Sequence, residues 1–183
     1  VAKLYFRHSV MNAGKSLHLL QTKNNYKERK KETLLLTAAL DTRNGEGVIS
    51  SRLGVSSEAM GISDVADIEV VKYAISPANI EAIFVDESQF LSPEVIDALA
   101  SIVDNYDVPV FCYGLKTDFR GELFAGSKRL LELADSVQEL KSICMCGRKA
   151  LFNRRMIEST EQVVLGSEDI YETQCRKCFM KGR

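Results

Sequence analysis

The segment Ser9-Val-Met-Asn-Ala-Gly14-Lys15-Ser16 restricts the fold more than any other stretch of the chain. A strand-like run, residues 3–7, precedes it. An amphipathic stretch over residues 16–30 follows, with Leu17, Leu19, Leu20 and Tyr26 among polar residues. Strand, glycine-containing turn and helix opening on Gly-Lys-Ser are the context of a P-loop. In that arrangement the backbone N–H groups of Ser9, Val10, Met11, Asn12, Ala13 and Gly14 form an anion cradle at a helix N-terminus. Lys15 reaches the β- and γ-phosphates of a nucleotide, and Ser16 offers its hydroxyl to Mg²⁺. Ser9 stands where the usual pattern has glycine, so its backbone must adopt a conformation open to other residues.

Downstream, strand-like and helix-like stretches alternate, which predicts an α/β domain with a parallel sheet. Residues 33–40, 82–85 and 108–115 read as buried strands, 68–71 as a short one, and 137–140 as another. Residues 41–61 read as a long polar loop of the kind that is functional or mobile. Ser76-Pro77 reads as a helix start, and so does Ser92-Pro93, which is followed by an apolar stripe at Val95, Leu99, Ile102 and Val103. Residues 127–134 read as helix. From residue 142 the alternation stops, leaving only weak strand signals at 150–152 and 162–165. The expected division is a nucleotide-binding domain at 1–141 and a small unit at 142–183. That small unit has too few apolar residues to hold a core without a staple.

The run Ala82-Ile-Phe-Val85 ends in two acids. Asp86, at the C-terminal end of a central strand, fits the magnesium-side role of a Walker B aspartate, and Glu87 is placed to orient or deprotonate a nucleophile. Cys144-Met-Cys146 and Cys175-Arg-Lys-Cys178 supply four thiols, the complement of a closed, structural Zn²⁺ site. Cys112 sits in an apolar strand and reads as core. His8 and His18 have no ligand-like neighbours. Arg148, Lys149, Arg154 and Arg155 read as a solvated basic face. A net charge of −1 disfavours nucleic-acid binding as the main activity. No apolar run is long enough to span a membrane, and residues 1–7 lack a secretory signal, so a cytoplasmic protein is expected. The motifs leave three readings open: a nucleoside kinase, a zinc-bearing ATPase acting on nucleic acid, and a P-loop switch in which Glu87 positions water.

Taken together and in order, the motifs resemble the zinc-containing (type II) thymidine kinases, in a style similar to bacterial members. The resemblance runs through the P-loop, Ala39-Leu-Asp-Thr-Arg43, Ser51-Arg52 and Asp86-Glu-Ser-Gln-Phe90. It continues through residues 113–124 and the cysteine pairs that enclose Gly166-Ser-Glu-Asp-Ile-Tyr171. It implies a RecA-like P-loop domain, a small zinc domain with a lasso loop, and transfer of the ATP γ-phosphate to the 5′-hydroxyl of thymidine. Glu87 is then the general base. Lys15, Ser16, Asp86, Asp41, Arg43, Ser88 and Gln89 serve the phosphates and magnesium. Phe119 and Tyr171 flank the thymine, Met11, Phe90 and Leu115 close the pocket, and Gln162, Val163, Val164, Leu165 and Gly166 meet the base largely through main chain. A homotetramer inhibited by dTTP is implied as well. Ser167, where the family usually has a second lasso glycine, departs from the pattern, as Ser9 does.

Overall fold

The computed structural model describes residues 1–166 and 170–182; the local conformation at Ser167 lies outside them. In chain order the elements are β1 (Leu4–Ser9), α1 (Lys15–Glu28), β2 (Glu32–Ala38), β3 (Val48–Ser50), β4 (Ser56–Glu58), β5 (Met60–Ile62), α2 (Val65–Ile75) and β6 (Ile80–Asp86). A 3-10 turn (Ser88–Phe90) follows, then α3 (Pro93–Tyr106), β7 (Val110–Leu115), α4 (Ala125–Leu133), β8 (Ser136–Glu139), β9 (Phe152–Arg155), β10 (Tyr171–Gln174) and α5 (Arg176–Lys181). A six-stranded sheet in the order β5-β2-β6-β7-β1-β8 is parallel throughout. Among the described residues no helix is long and apolar enough to cross a membrane.

Both faces of this sheet are covered, so its strands are apolar at successive positions rather than alternating. On one face Leu4, Phe6, Leu36, Ile83, Val85, Val110 and Cys112 pack against α2, α3 and α4. On the other, Leu35, Ala82, Phe84, Phe111 and Tyr113 meet Leu19 and Leu20 of α1. The period-2 pleat sorts neighbours in sequence onto opposite faces. Cys112 is wholly buried core.

Four expectations change. Residues 68–71 are not a strand. Ile68, Val71 and Ile75 form the buried stripe of α2, whose start is fixed by a reciprocal capping box between Asp64 and Asp67. The β-branched content suggested a strand, but helical spacing and the cap decide. Ser76 then closes α2 instead of opening a helix, and β6 begins at Ile80; proline after a helix end terminates it. Residues 41–61 are not one open loop. They carry the antiparallel β3–β4 hairpin, whose Ile49 is buried against α1, and then β5 at the sheet edge. In the C-terminal unit the strand at 150–152 shifts to β9, residues 162–165 form no strand, and β9 pairs antiparallel with β10.

The turn after β6 depends on two close approaches. A Cβ at Gly114 would lie 2.7 Å from Gln89 Oε1 and 2.9 Å from Ser88 Oγ. One at Gly126 would lie 2.5 Å from the Ser88 carbonyl oxygen and 2.6 Å from that of Leu91. Backbone oxygens cannot swing aside as a side-chain end can. Gly126→Ala should therefore cost roughly 1–3 kcal/mol and lower Tm by at least about 2 °C. A thermal melt unchanged from wild type would show that α4 has room to move.

Candidate active-site cleft

Parallel strands present their C-terminal ends to one edge, and the residues after β1, β2, β6 and β7 line a single cleft there of about 720 Å³. Ser9 ends β1 in extended pairing with Leu115 and has no positive φ, which explains why glycine is dispensable there. The left-handed positions fall later, at Asn12 (φ 61) and Gly14 (φ 80). These alternations turn successive N–H groups to one side. No side chain caps α1, so its first-turn N–H groups are left for an anion.

Lys15 is buried, and its Nζ donates to the Val10 carbonyl at 3.1 Å. Burial pulls its pKa below the ordinary lysine value, while the Glu87 and Asp86 carboxylates oppose that fall. The Ser16 hydroxyl donates to Asp86 Oδ2 at 2.7 Å, bringing together two hard oxygen ligands of the kind Mg²⁺ takes. Burial and the adjacent Glu87 charge push the Asp86 pKa up to about 7. A divalent cation at this point would reverse that balance.

Glu87 has φ 52, an uncommon conformation for a side-chain-bearing residue, and it starts the 3-10 turn. Its Oε1 accepts from Arg43 Nη2 at 2.9 Å and its Oε2 from Gln89 Nε2 at 2.6 Å. Arg43 also makes a forked pair with Asp41, at 2.7 and 2.8 Å, and reaches the Gly166 carbonyl at 3.3 Å. Gln89 is fixed in turn by the Leu115 N–H.

Met11, Phe90, Leu115, Phe119, Tyr171 and residues 162–166 line the same cleft. Ser9, Val10, Ala13 and Ser88 do not form its wall. Ser88 is wholly buried beneath it and donates to the Tyr113 carbonyl. Several wall residues carried no sequence signal. Asn153 accepts the Met11 N–H at 2.8 Å and so ties β9 to the P-loop. Asp118 accepts from Gln162 Nε2 at 3.0 Å. Burial opposes its ionisation, but hydrogen bonds from Gln162, the Glu122 N–H and Arg120 outweigh that and hold it below the usual range. Arg155, expected on a solvated face, is instead buried behind Phe119 and Tyr171. Single charged residues in a strand of alternating burial look solvent-facing until the partner segments are in place.

The four cysteine sulfurs lie within 4.8 Å of one another, with Cys146 at 3.5 Å from Cys144 and 3.6 Å from Cys175. Tetrahedral Zn²⁺ with Zn–S near 2.3 Å needs sulfurs about 3.8 Å apart, so the cluster fits that ion. All four are free thiols. Val10 and Ala150 pack against the cluster, linking it directly to the P-loop.

A P-loop after β1, opening on a carboxylate pair at the end of β6, two places away across β7 in the same parallel sheet, defines a nucleotide-binding α/β protein of the phosphoryl-transfer class. The sequence matches the thymidine kinase family model over residues 2–179. It is 47% identical to a thymidine kinase of Shewanella oneidensis, covering 98% of this chain and 97% of that protein. It is 46% identical to one from Ruegeria pomeroyi (97% and 93% covered) and 45% identical to one from Photorhabdus laumondii (99% and 94%). The chain belongs to the thymidine kinase family, whose members are phosphotransferases.

Proposed function

We propose that this chain transfers the γ-phosphoryl group of ATP to the 5′-hydroxyl of thymidine, giving dTMP and ADP. The observation that carries the reading is Arg43, which touches both ends of the cleft. One guanidinium nitrogen lies on Glu87 beside the P-loop, and another lies on the Gly166 carbonyl of the segment proposed to hold the base. A nucleoside laid along that line puts its 5′-oxygen at Glu87 and its base at residues 162–166.

In this reading the N–H groups of residues 9–14 cradle the phosphates. Lys15 Nζ exchanges the Val10 carbonyl for phosphate oxygens. Mg²⁺, held through Ser16 and Asp86, would offset the charge on the transferring group. Glu87 accepts the 5′-hydroxyl proton as the new O–P bond forms and the bond from Pγ to the ADP oxygen breaks. Arg43 and Gln89 each occupy one oxygen of that carboxylate, and since each oxygen accepts more than once, a site remains for the hydroxyl. Phe119 and Tyr171 flank the base, while Met11, Phe90 and Leu115 close the pocket around it.

The four-cysteine geometry supports a structural Zn²⁺ that anchors the unit at 142–183 against the domain at 1–141. Membership of the family supports a cytoplasmic homotetramer inhibited by dTTP. The deciding experiment measures ATP turnover with and without thymidine. Turnover should require the nucleoside and yield dTMP. Hydrolysis at the same rate without it, or stimulated by DNA, would overturn the reading in favour of an ATPase.

A further inference from the structure

Arg155 is an unusual cation. It ends β9 only 8% exposed, and among the described residues no carboxylate pairs with it. A buried charge is costly unless its hydrogen bonds are satisfied. Here every guanidinium N–H is used. Nε and Nη2 donate to Tyr171 Oη at 3.2 and 2.9 Å, and Nη2 also donates to the Gln162 carbonyl at 3.0 Å. Nη1 donates to the carbonyls of Ser159 at 3.2 Å and Glu161 at 2.5 Å. The guanidinium carbon stands 3.9 Å from the centre of the Phe119 ring, a cation–π contact with a residue of the cleft wall.

These bonds dictate more than packing. Tyr171 Oη accepts two N–H groups from Arg155, which fills its acceptor sites and leaves its own proton to be donated elsewhere. That proton goes to the Val164 carbonyl at 2.8 Å. The carbonyls of Glu161, Gln162 and Val164 are therefore all drawn toward the Arg155–Tyr171 pair. In a trans peptide the N–H points opposite to the C=O. The N–H groups of Gln162, Val163 and Leu165, which belong to those same three peptides, are thus turned away from Arg155. Among the described residues none of the three donates to a protein acceptor, and all three residues line the cleft.

We propose that Arg155 is a positioning residue for the nucleobase: directly and through Tyr171, it fixes three peptide planes of segment 159–166 so that their N–H groups are presented to the carbonyl oxygens of a pyrimidine. This rests on the thymidine reading given above. A lysine can replace it only in part, because an ammonium carries three donors and lacks the planar fork. Loss of charge-assisted bonds of this kind sets the scale of the effect.

The test compares wild type with Arg155→Met and Arg155→Lys. In Arg155→Met, amide exchange across 159–166 should accelerate in the ligand-free protein. The thymidine KM should rise about 10- to 100-fold, with the ATP KM within about 2-fold and zinc content unchanged. Arg155→Lys should recover only part of the loss. Replacing either base oxygen by sulfur, a poorer acceptor, should penalise wild type more than Arg155→Met. Only donors aimed at those oxygens produce that pattern. A thymidine KM unchanged in Arg155→Met would overturn the proposal, and so would thymidine and ATP KM rising together with a collapsed Tm. If wild type does not phosphorylate thymidine, the functional reading fails. Exchange across 159–166 then decides the clamp alone: acceleration supports it and no change overturns it.

Discussion

Glu87→Gln should lower kcat for thymidine phosphorylation by on the order of 10²–10⁴, with ATP still bound. The substitution keeps the shape of the side chain and removes the proton acceptor. It also disturbs the surroundings in a way the geometry makes explicit. The two carboxylate oxygens each face a donor, Arg43 Nη2 on one side and Gln89 Nε2 on the other. A glutamine amide has one acceptor oxygen, so its NH₂ must confront one of those donors. Some thermal stability should therefore be lost with the activity. Measuring ATP affinity and Tm beside kcat separates the two effects, because a purely structural change would weaken ATP binding as well. Turnover near the wild-type rate would remove Glu87 from the role of general base.

Cys175→Ser should abolish zinc binding and take thymidine phosphorylation below roughly 1% of wild type, while the six-stranded sheet stays folded. Elemental analysis of the wild type should give about one zinc per chain. The C-terminal unit is small. Its regular elements are the β9–β10 pair and the six-residue α5, held partly by stacking of Phe152 on Phe179 at 4.4 Å. Cys175 is buried at the start of α5 and belongs to the cluster that also packs Val10. Releasing it should free β10, and with it Tyr171 and the Arg155 network. It should also loosen the Asn153 bond to the P-loop at Met11. The effect therefore reaches the phosphate end of the cleft. Hydrogen exchange should rise sharply across 142–166 and 170–182 and modestly around residues 9–13. Full activity in reduced, zinc-free protein would show that the four thiols stand together without a metal.

Much of the site was legible in the sequence because its chemistry is local. A P-loop is a contiguous segment, and Asp86 and Glu87 are adjacent at the end of an apolar strand. The two cysteine pairs mark four candidate metal ligands by their spacing, and folding brings their sulfurs within 4.8 Å of one another. Helix α3 was legible for the same reason, since Ser92 caps it and Pro93 opens it without help from elsewhere. Ser76-Pro77 carries the same two residue types with the opposite meaning. There the helix lies upstream, and only the packing of Ile68, Val71 and Ile75 against the sheet shows it. Ile49 likewise gives no sign in sequence that it pins a polar stretch to the core, because the pocket it fills is built by α1.

The sequence by itself determined the Gly-Lys-Ser turn between a strand and a helix, the acid pair, the four thiols and the apolar strands of a two-faced sheet. Each is encoded in residues that are neighbours along the chain or separated by a fixed period. The tertiary structure alone decided that Arg43 spans from Glu87 to the Gly166 carbonyl, that Asn153 holds the P-loop, and that Arg155 is buried. These contacts join residues 44, 123 and 142 positions apart, and for Arg155 up to 36. A lone arginine or asparagine has the same sequence signature whether water or a carbonyl satisfies it. Only folding, which removes the water and brings specific carbonyls within reach, distinguishes the two.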